Sequence, residues 1–262
     1  MAAVKPAVVL VHGAWHTPPN YRRYIDALMN QGFPVHCPAL PSCSATRPPP
    51  ASYEDDVAAV RRTVQSLVMA SQKVIMLMHS YGGAIGTDAI RELTVPERRA
   101  KNLPGGVIHL TYLCAYILRP GNTILSVVQE SGMMHLWPQF VENADDGSTF
   151  PVDPVLLFLG GVEKSLIDEA LPHLVRSPQS AFTTPTSGDA WRVIPATYVL
   201  TQEDYSVPRV YQDLMVKKVK DNGIQMRLLD YKSCHSIFLT MQEEMVKLVQ
   251  ECADDERNPH PL

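Results

Sequence analysis

The sequence predicts an α/β protein: a six-stranded, mainly parallel, doubly wound sheet flanked by helices, with one inserted helical cap. Three observations carry this expectation. Short, wholly apolar, β-rich runs recur along the chain, as expected for parallel strands covered on both faces. Segments with apolar residues at helical spacing separate these runs. The alternation lapses in a single stretch, residues 117–192.

Residues 8–11 are the first apolar run, broken by His12-Gly13-Ala14. Tyr24, Ile25 and Leu28 recur at helical spacing within residues 21–30, and Gly32 ends that helix. Residues 33–37 suit a second strand, where Pro34 favours the first residues or a sheet edge. Prolines and serines mark residues 38–50 as a surface loop. Ser52 is placed to cap a helix that opens with Glu54, Asp55 and Asp56, acidic where the helix dipole favours negative charge. Its inner stripe is Val57, Val60, Val64 and Leu67. Residues 73–78 read as the third strand, 84–93 as a helix and 107–113 as the fourth strand. After the insertion, the pattern resumes with a strand at 194–200, a helix from about Pro208 to Lys220, a strand at 225–229 and a final helix from about Leu239 to Cys252. Pro208 suits that helix start, because first-turn amides need no intrahelical partner. The polar tail after Asp254 is expected to fray.

A chain of 262 residues fits one such domain, with 117–192 as a cap within 1–262. Its 45% hydrophobic and 19% charged residues support a large core and argue against disorder. A net charge of -4 and the lack of a basic, aromatic-interleaved stripe argue against nucleic acid or an anionic membrane as partner. Residues 1–6 are too short and too weakly basic for a signal-peptide start, and the apolar run behind them is too brief to span a membrane. Five widely spaced cysteines match neither a disulfide framework nor a zinc module. A cytoplasmic monomer or homodimer acting on a small molecule, without a cofactor, is therefore expected.

The chemistry gathers where strands end. A G-x-S-x-G elbow exposes a serine on a tight strand-to-helix turn at the carboxyl edge of a sheet. Here the five residues are Met78-His79-Ser80-Tyr81-Gly82, so the last glycine is present and Met78 replaces the first. An apolar strand precedes Ser80 and a helix follows it. That context favours a nucleophile over a plain helix cap. Among nine histidines, His235 has the best address for a base, between the last strand and the last helix. His79, adjoining Ser80, reads as a packing or hydrogen-bonding residue. Asp204 follows the fifth strand and completes the chain order Ser…Asp…His, with Glu203 and Asp230 as alternatives. A carboxylate there would fix the imidazole tautomer and stabilise its cation. The turn after the first strand can present a backbone N–H to an oxyanion, and Ala14 and Tyr81 are the candidate amides. His12 and His16 lie on a strand end and a turn without an acidic third ligand, so no metal is assigned.

The run Val9-Leu10-Val11-His12-Gly13-Ala14-Trp15-His16 resembles the opening of the α/β-hydrolase superfamily, most closely the compact branch of plant methyl-ester esterases and hydroxynitrile lyases with their fungal and bacterial relatives. The resemblance spans nearly the whole chain and is loosest over the cap. It implies Ser80 as nucleophile, His235 as base, the acid at Asp204 within Thr201-Gln202-Glu203-Asp204, and oxyanion amides at Ala14 and Tyr81. Hydroxynitrile-lyase relatives carry a lysine directly after the catalytic histidine. Ser236 stands there and argues against cyanohydrin cleavage. A serine at the elbow, in place of aspartate, argues against epoxide hydrolases and haloalkane dehalogenases.

The expected activity is hydrolysis of a small apolar ester or lactone, aromatic or polyketide-derived, through an acyl-enzyme. Trp15, Tyr112, Tyr116, Met133, Met134, Trp137 and Phe140 are the candidate pocket residues, with core packing as the competing role for each. A carbon–carbon bond hydrolase, lyase or cyclase with the same triad, and a non-catalytic small-molecule binder, are the rival readings, because a fold establishes neither substrate nor bond cleaved.

Overall fold

The computed structural model describes residues 4–255. Six strands form the central sheet: β1 (Ala7–Val11), β2 (Val35–His36), β3 (Lys73–His79), β4 (Gly106–Leu113), β8 (Ala196–Thr201) and β9 (Arg227–Tyr231), numbered to leave room for the insertion. Their spatial order is β2-β1-β3-β4-β8-β9, and each neighbouring pair is parallel. The central strands β1, β3, β4 and β8 are buried almost throughout, which is why they are apolar in sequence instead of alternating. The second strand shrinks to two residues at the sheet edge because Pro34, just before it, cannot donate to a ladder.

Helices α1 (Arg22–Asn30), α2 (Tyr53–Met69), α3 (Gly82–Ala89), α4 (Val95–Ala100), α10 (Arg209–Lys220), α11 (Ile237–Thr240) and α12 (Gln242–Asp255) flank this sheet. Ser52 caps α2, with its amide donating to the Asp55 carboxylate at 2.9 Å. Val60, Val64 and Leu67 are buried on the inner stripe, and Val57 only partly. The expected single last helix is split, with a break at Met241. Except for Asp255, the tail after Asp254 lies outside the described residues, as do the first three residues.

Between β4 and β8 lie five short helices: α5 (Ile124–Glu130), α6 (Trp137–Phe140), α7 (Pro154–Phe158), α8 (Lys164–Ala170) and α9 (Ser180–Thr183). A second sheet, unforeseen in the sequence, accompanies them. It is antiparallel, in the order β5 (Val141–Asn143), β6 (Ser148–Pro151), β7 (Ser177–Pro178). Strands of two to four residues are too short to show a period of two. Among the described residues, no helix is long and apolar enough to cross a membrane.

Two glycines set how closely α3 packs. At Gly82 a Cβ would run into the carbonyl oxygens of Val11 and His12, so the helix start touches the end of β1 backbone to backbone. At Gly86 a Cβ would lie 2.5 Å from Sδ of Met78. The methionine that replaces the first elbow glycine is therefore accommodated by a glycine one turn into the following helix. Gly82→Ala is expected to cost at least about 1–3 kcal/mol through overpacking against rigid backbone. A melting curve checks this, and an unchanged melting temperature would show that the elbow has slack.

Candidate active site

Ser80 directly follows β3 with φ 54°, in the left-handed region that costs a side-chain-bearing residue roughly 1–2 kcal/mol. Three backbone bonds hold it there. Its amide donates to Leu113 O at 3.3 Å, and its carbonyl accepts from Tyr116 N at 2.9 Å and Gly83 N at 3.0 Å. This strained turn lifts the Ser80 side chain to the wall of a cavity of about 460 Å³. Strain of this kind persists only where surrounding structure over-determines it.

His235 lies after β9, its ring centroid 4.4 Å from that of His79, the residue before Ser80. Its Nδ1–H donates to Asp204 Oδ2 at 2.8 Å, and both side chains are fully buried. Asp204 is held by Thr201 Oγ1 on Oδ2, and by the Ser206 and Val207 amides on Oδ1. With Nδ1 committed to Asp204, Nε2 is the remaining ring nitrogen. It is buried without a hydrogen-bond partner. The other carboxylates are engaged differently: Glu203, also at the cavity wall, pairs with Lys232, and Asp230 pairs with Arg209 and Gln202.

Ala14 and Tyr81 both line the cavity with Ser80, and neither amide is used in a hydrogen bond among the described residues. The turn that carries Ala14 is braced by the insertion. Trp15, at φ 62°, donates its amide to Ser177 Oγ at 2.8 Å and its indole N–H to Thr149 Oγ1 at 3.0 Å. Its ring stacks on Phe182 at 5.0 Å. The small second sheet therefore supports the turn.

Trp15, Tyr116, Met133, Trp137 and Phe140 line the cavity. Tyr112 does not. It is fully buried on β4, bonded to Thr87 Oγ1 at 2.8 Å and stacked over Tyr198, because its strand position points it under α3. Met134 is 42% exposed and also outside the cavity, since the short helical turn at residues 134–136 carries it to solvent. Leu157, Phe182, Tyr205 and Tyr211 are lining residues that sequence reasoning missed. The first two come from the irregular insertion and gave no periodic signal. Tyr205, next to Asp204, could have been inferred from the same loop.

Asp56 was missed despite a readable signal, being four residues before Val60 and eight before Val64 on the buried stripe. Its carboxylate accepts from Ser42 N and from the hydroxyls of Ser42 and Tyr81. Burial pushes its pKa up to about 6. It anchors the side chain of the residue after Ser80.

Four other histidines, His12, His16, His79 and His109, are buried and held neutral. Burial lowers His12 to about 4, His16 to about 3 and His109 to about 4, and takes His79 well below 6.5. His12 Nδ1 bonds to Gly13 O, and its Nε2 accepts from Leu40 N. His16 Nδ1 donates to Ala14 O. His79, Cys114 and His235 bring potential ligand atoms within 4.8 Å of one another. His79, however, has both ring nitrogens in hydrogen bonds, to Tyr21 and to His235 O, so it offers no free lone pair to an ion.

These shifts give the fold an acid limb. The unfolded chain takes up protons on these histidines near pH 6.5 while the folded chain resists to about pH 4 or below, so stability falls as pH drops through that window. At pH 5 His12, His16 and His109 each withdraw about 2 kcal/mol. Asp56 moves the other way, because the fold protonates it before the unfolded chain does, and it returns about 1 kcal/mol. The urea midpoint is expected to be clearly lower at pH 5 than at pH 7.5, and an equal or higher midpoint would contradict neutral burial of these rings.

Comparison with known proteins agrees with this architecture. The chain is 27% identical over 259 residues to the alpha/beta hydrolase nvfD of Aspergillus novofumigatus, with 96% of this chain and 98% of that protein covered. It superimposes on the crystal structure of the pyrethroid hydrolase PytH with a TM-score of 0.74 at 19% identity, covering 97% of this chain and 99% of the other. Polyneuridine aldehyde esterase matches with a TM-score of 0.71 at 16% identity, over 94% and 98% of the two chains. The alpha/beta hydrolase family profile matches residues 8–248, nearly the whole chain, and the protein is a member of that family.

Proposed function

We propose that this hydrolase is a serine carboxylesterase that cleaves a small apolar ester or lactone, with an aromatic or polyketide-like body, through an acyl-enzyme. The observation that carries the reading is the buried Asp204–His235 pair, whose free Nε2 belongs to a ring packed against the elbow that bears Ser80. His235 Nε2 takes the Ser80 proton as Oγ attacks the ester carbonyl. The Ala14 and Tyr81 amides stabilise the tetrahedral oxyanion, and Asp204 stabilises the imidazolium. His235 then returns its proton to the leaving alkoxide. Water, deprotonated by the same ring, attacks the acyl-enzyme and releases the acid.

Trp15, Tyr116, Trp137, Phe140 and Phe182 give the cavity its aromatic walls, and Met133 adapts to irregular shape. These walls support an apolar body. The volume of about 460 Å³ falls at the small end of ligand sites and favours a compact substrate.

Ser80→Ala is expected to lower kcat/KM by about 10³-fold or more, and Asp204→Asn by about 10²–10⁴-fold. Fluorophosphonate should label the native protein and not Ser80→Ala. Absence of labelling in folded protein would end the nucleophile assignment. Turnover should yield a carboxylic acid and an alcohol, whereas a ketone or a rearranged skeleton would replace the esterase reading with carbon–carbon chemistry.

A further inference from the structure

A run of buried hydrogen bonds joins the turn that carries Ala14 to the main chain of His235. The Gly13 amide donates to Tyr21 Oη at 3.0 Å. Tyr21 Oη meets His79 Nδ1 at 2.7 Å. His79 Nε2 meets His235 O at 3.0 Å, and the Cys114 thiol donates to the same carbonyl at 3.3 Å. Tyr21 and His79 are each 1% exposed, and His235 not at all.

Elementary chemistry fixes the direction of every bond. A carbonyl only accepts, so His79 Nε2 carries the hydrogen. Burial keeps the ring neutral, so Nδ1 accepts and Tyr21 donates to it. The Tyr21 oxygen is then free to accept from Gly13. No member can reverse without stranding a buried polar group, at roughly 1–3 kcal/mol. The two residues supplied by this run sit on different elements. Tyr21 immediately precedes α1, and His79 ends β3.

We propose that Tyr21 and His79 are positioning residues that hold the oxyanion turn and the base in one fixed mutual geometry. This rests on the roles assigned above to Ser80, His235 and the Ala14 amide. Neither residue touches substrate, since neither lines the cavity. The Tyr21 hydroxyl orients the Gly13 peptide, which sets where the next amide, Ala14, points. The His79 N–H holds the His235 carbonyl, while Asp204 holds its ring. Loss of the relay loosens both partners of the reacting carbonyl, and misplacement on the scale of 1 Å costs about 10²-fold in rate.

Packing alone is the competing role, because the Tyr21 ring also stacks on Phe238 at 4.4 Å. Tyr21→Phe separates the two, since it keeps the ring and deletes the hydroxyl. It is expected to lower kcat by about 10–100-fold with KM within about threefold. Affinity for a boronic acid mimic of the tetrahedral intermediate should fall by the same factor as kcat/KM. Phe238→Leu should lower the melting temperature and leave kcat unchanged. His79→Gln is read by the same kcat and KM split, and serves if Tyr21→Phe does not accumulate as folded protein. In the double variant the losses should not add, because either change alone breaks the relay. Wild-type kcat in Tyr21→Phe, a loss confined to KM, or additive losses would each overturn the relay while Ser80 labelling by fluorophosphonate stands. Failure of that labelling would remove the assigned site and the relay with it.

Discussion

The arrangement depends on one backbone constraint: a serine held at positive φ between the ends of β3 and β4. That conformation is unfavourable for any residue with a side chain, and it exists here because the Leu113, Tyr116 and Gly83 backbones grip both sides of Ser80. Its consequences spread outward. The turn is tight enough that α3 must start against the end of β1, which only Gly82 permits. The same turn brings Tyr81 to the cavity wall and sends its hydroxyl to the buried Asp56 carboxylate. A departure from the usual elbow glycine is absorbed one helical turn later, where Gly86 leaves space for Met78.

The insertion does more than cover the sheet. Through Ser177 and Thr149 its small antiparallel sheet holds Trp15 in an unfavourable backbone conformation. Through the Phe158 carbonyl, which accepts from Ser236 N and the Cys234 thiol, it holds the loop on either side of His235. Cavity walls and the braces of the Trp15 and His235 loops therefore come from the same segment. Changes that reshape the cavity from Leu157 or Phe182 will also press on the turns that present Ala14 and His235.

Buried polar groups surround the elbow at unusual density, and nearly all of them are satisfied by fixed partners. His12, His16 and His79 are kept neutral by burial, each with a defined tautomer. His235 Nε2 is the contrast, buried and without a hydrogen-bond partner, as is the adjoining Ser236 Oγ. A group left unsatisfied in so well-bonded a neighbourhood is where chemistry is expected.

Much of the scaffold was legible because parallel strands covered on both faces must be apolar, and their carboxyl ends are where glycines, Ser80, Asp204 and His235 interrupt the runs. The six strands, and the positions of Ser80, Asp204 and His235 after strand ends, followed from that. Asp56 was legible too, in its spacing from Val60 and Val64, had the acidic helix start not offered a simpler explanation. What tertiary structure alone decided was which side chains meet across distant segments. Tyr112 and Tyr116 are indistinguishable in sequence, yet one is core and the other lines the cavity. Met133 lines the cavity, whereas Met134 turns to solvent at a short helical turn. Phe182 joins Trp15, and Tyr21 joins Gly13 to His79, over separations that no local period encodes. Patterning records whether a position is covered, which is a property of one segment against an average interior. Which atoms cover it depends on how several segments close on one another, and that is settled only when the insertion folds down over the sheet.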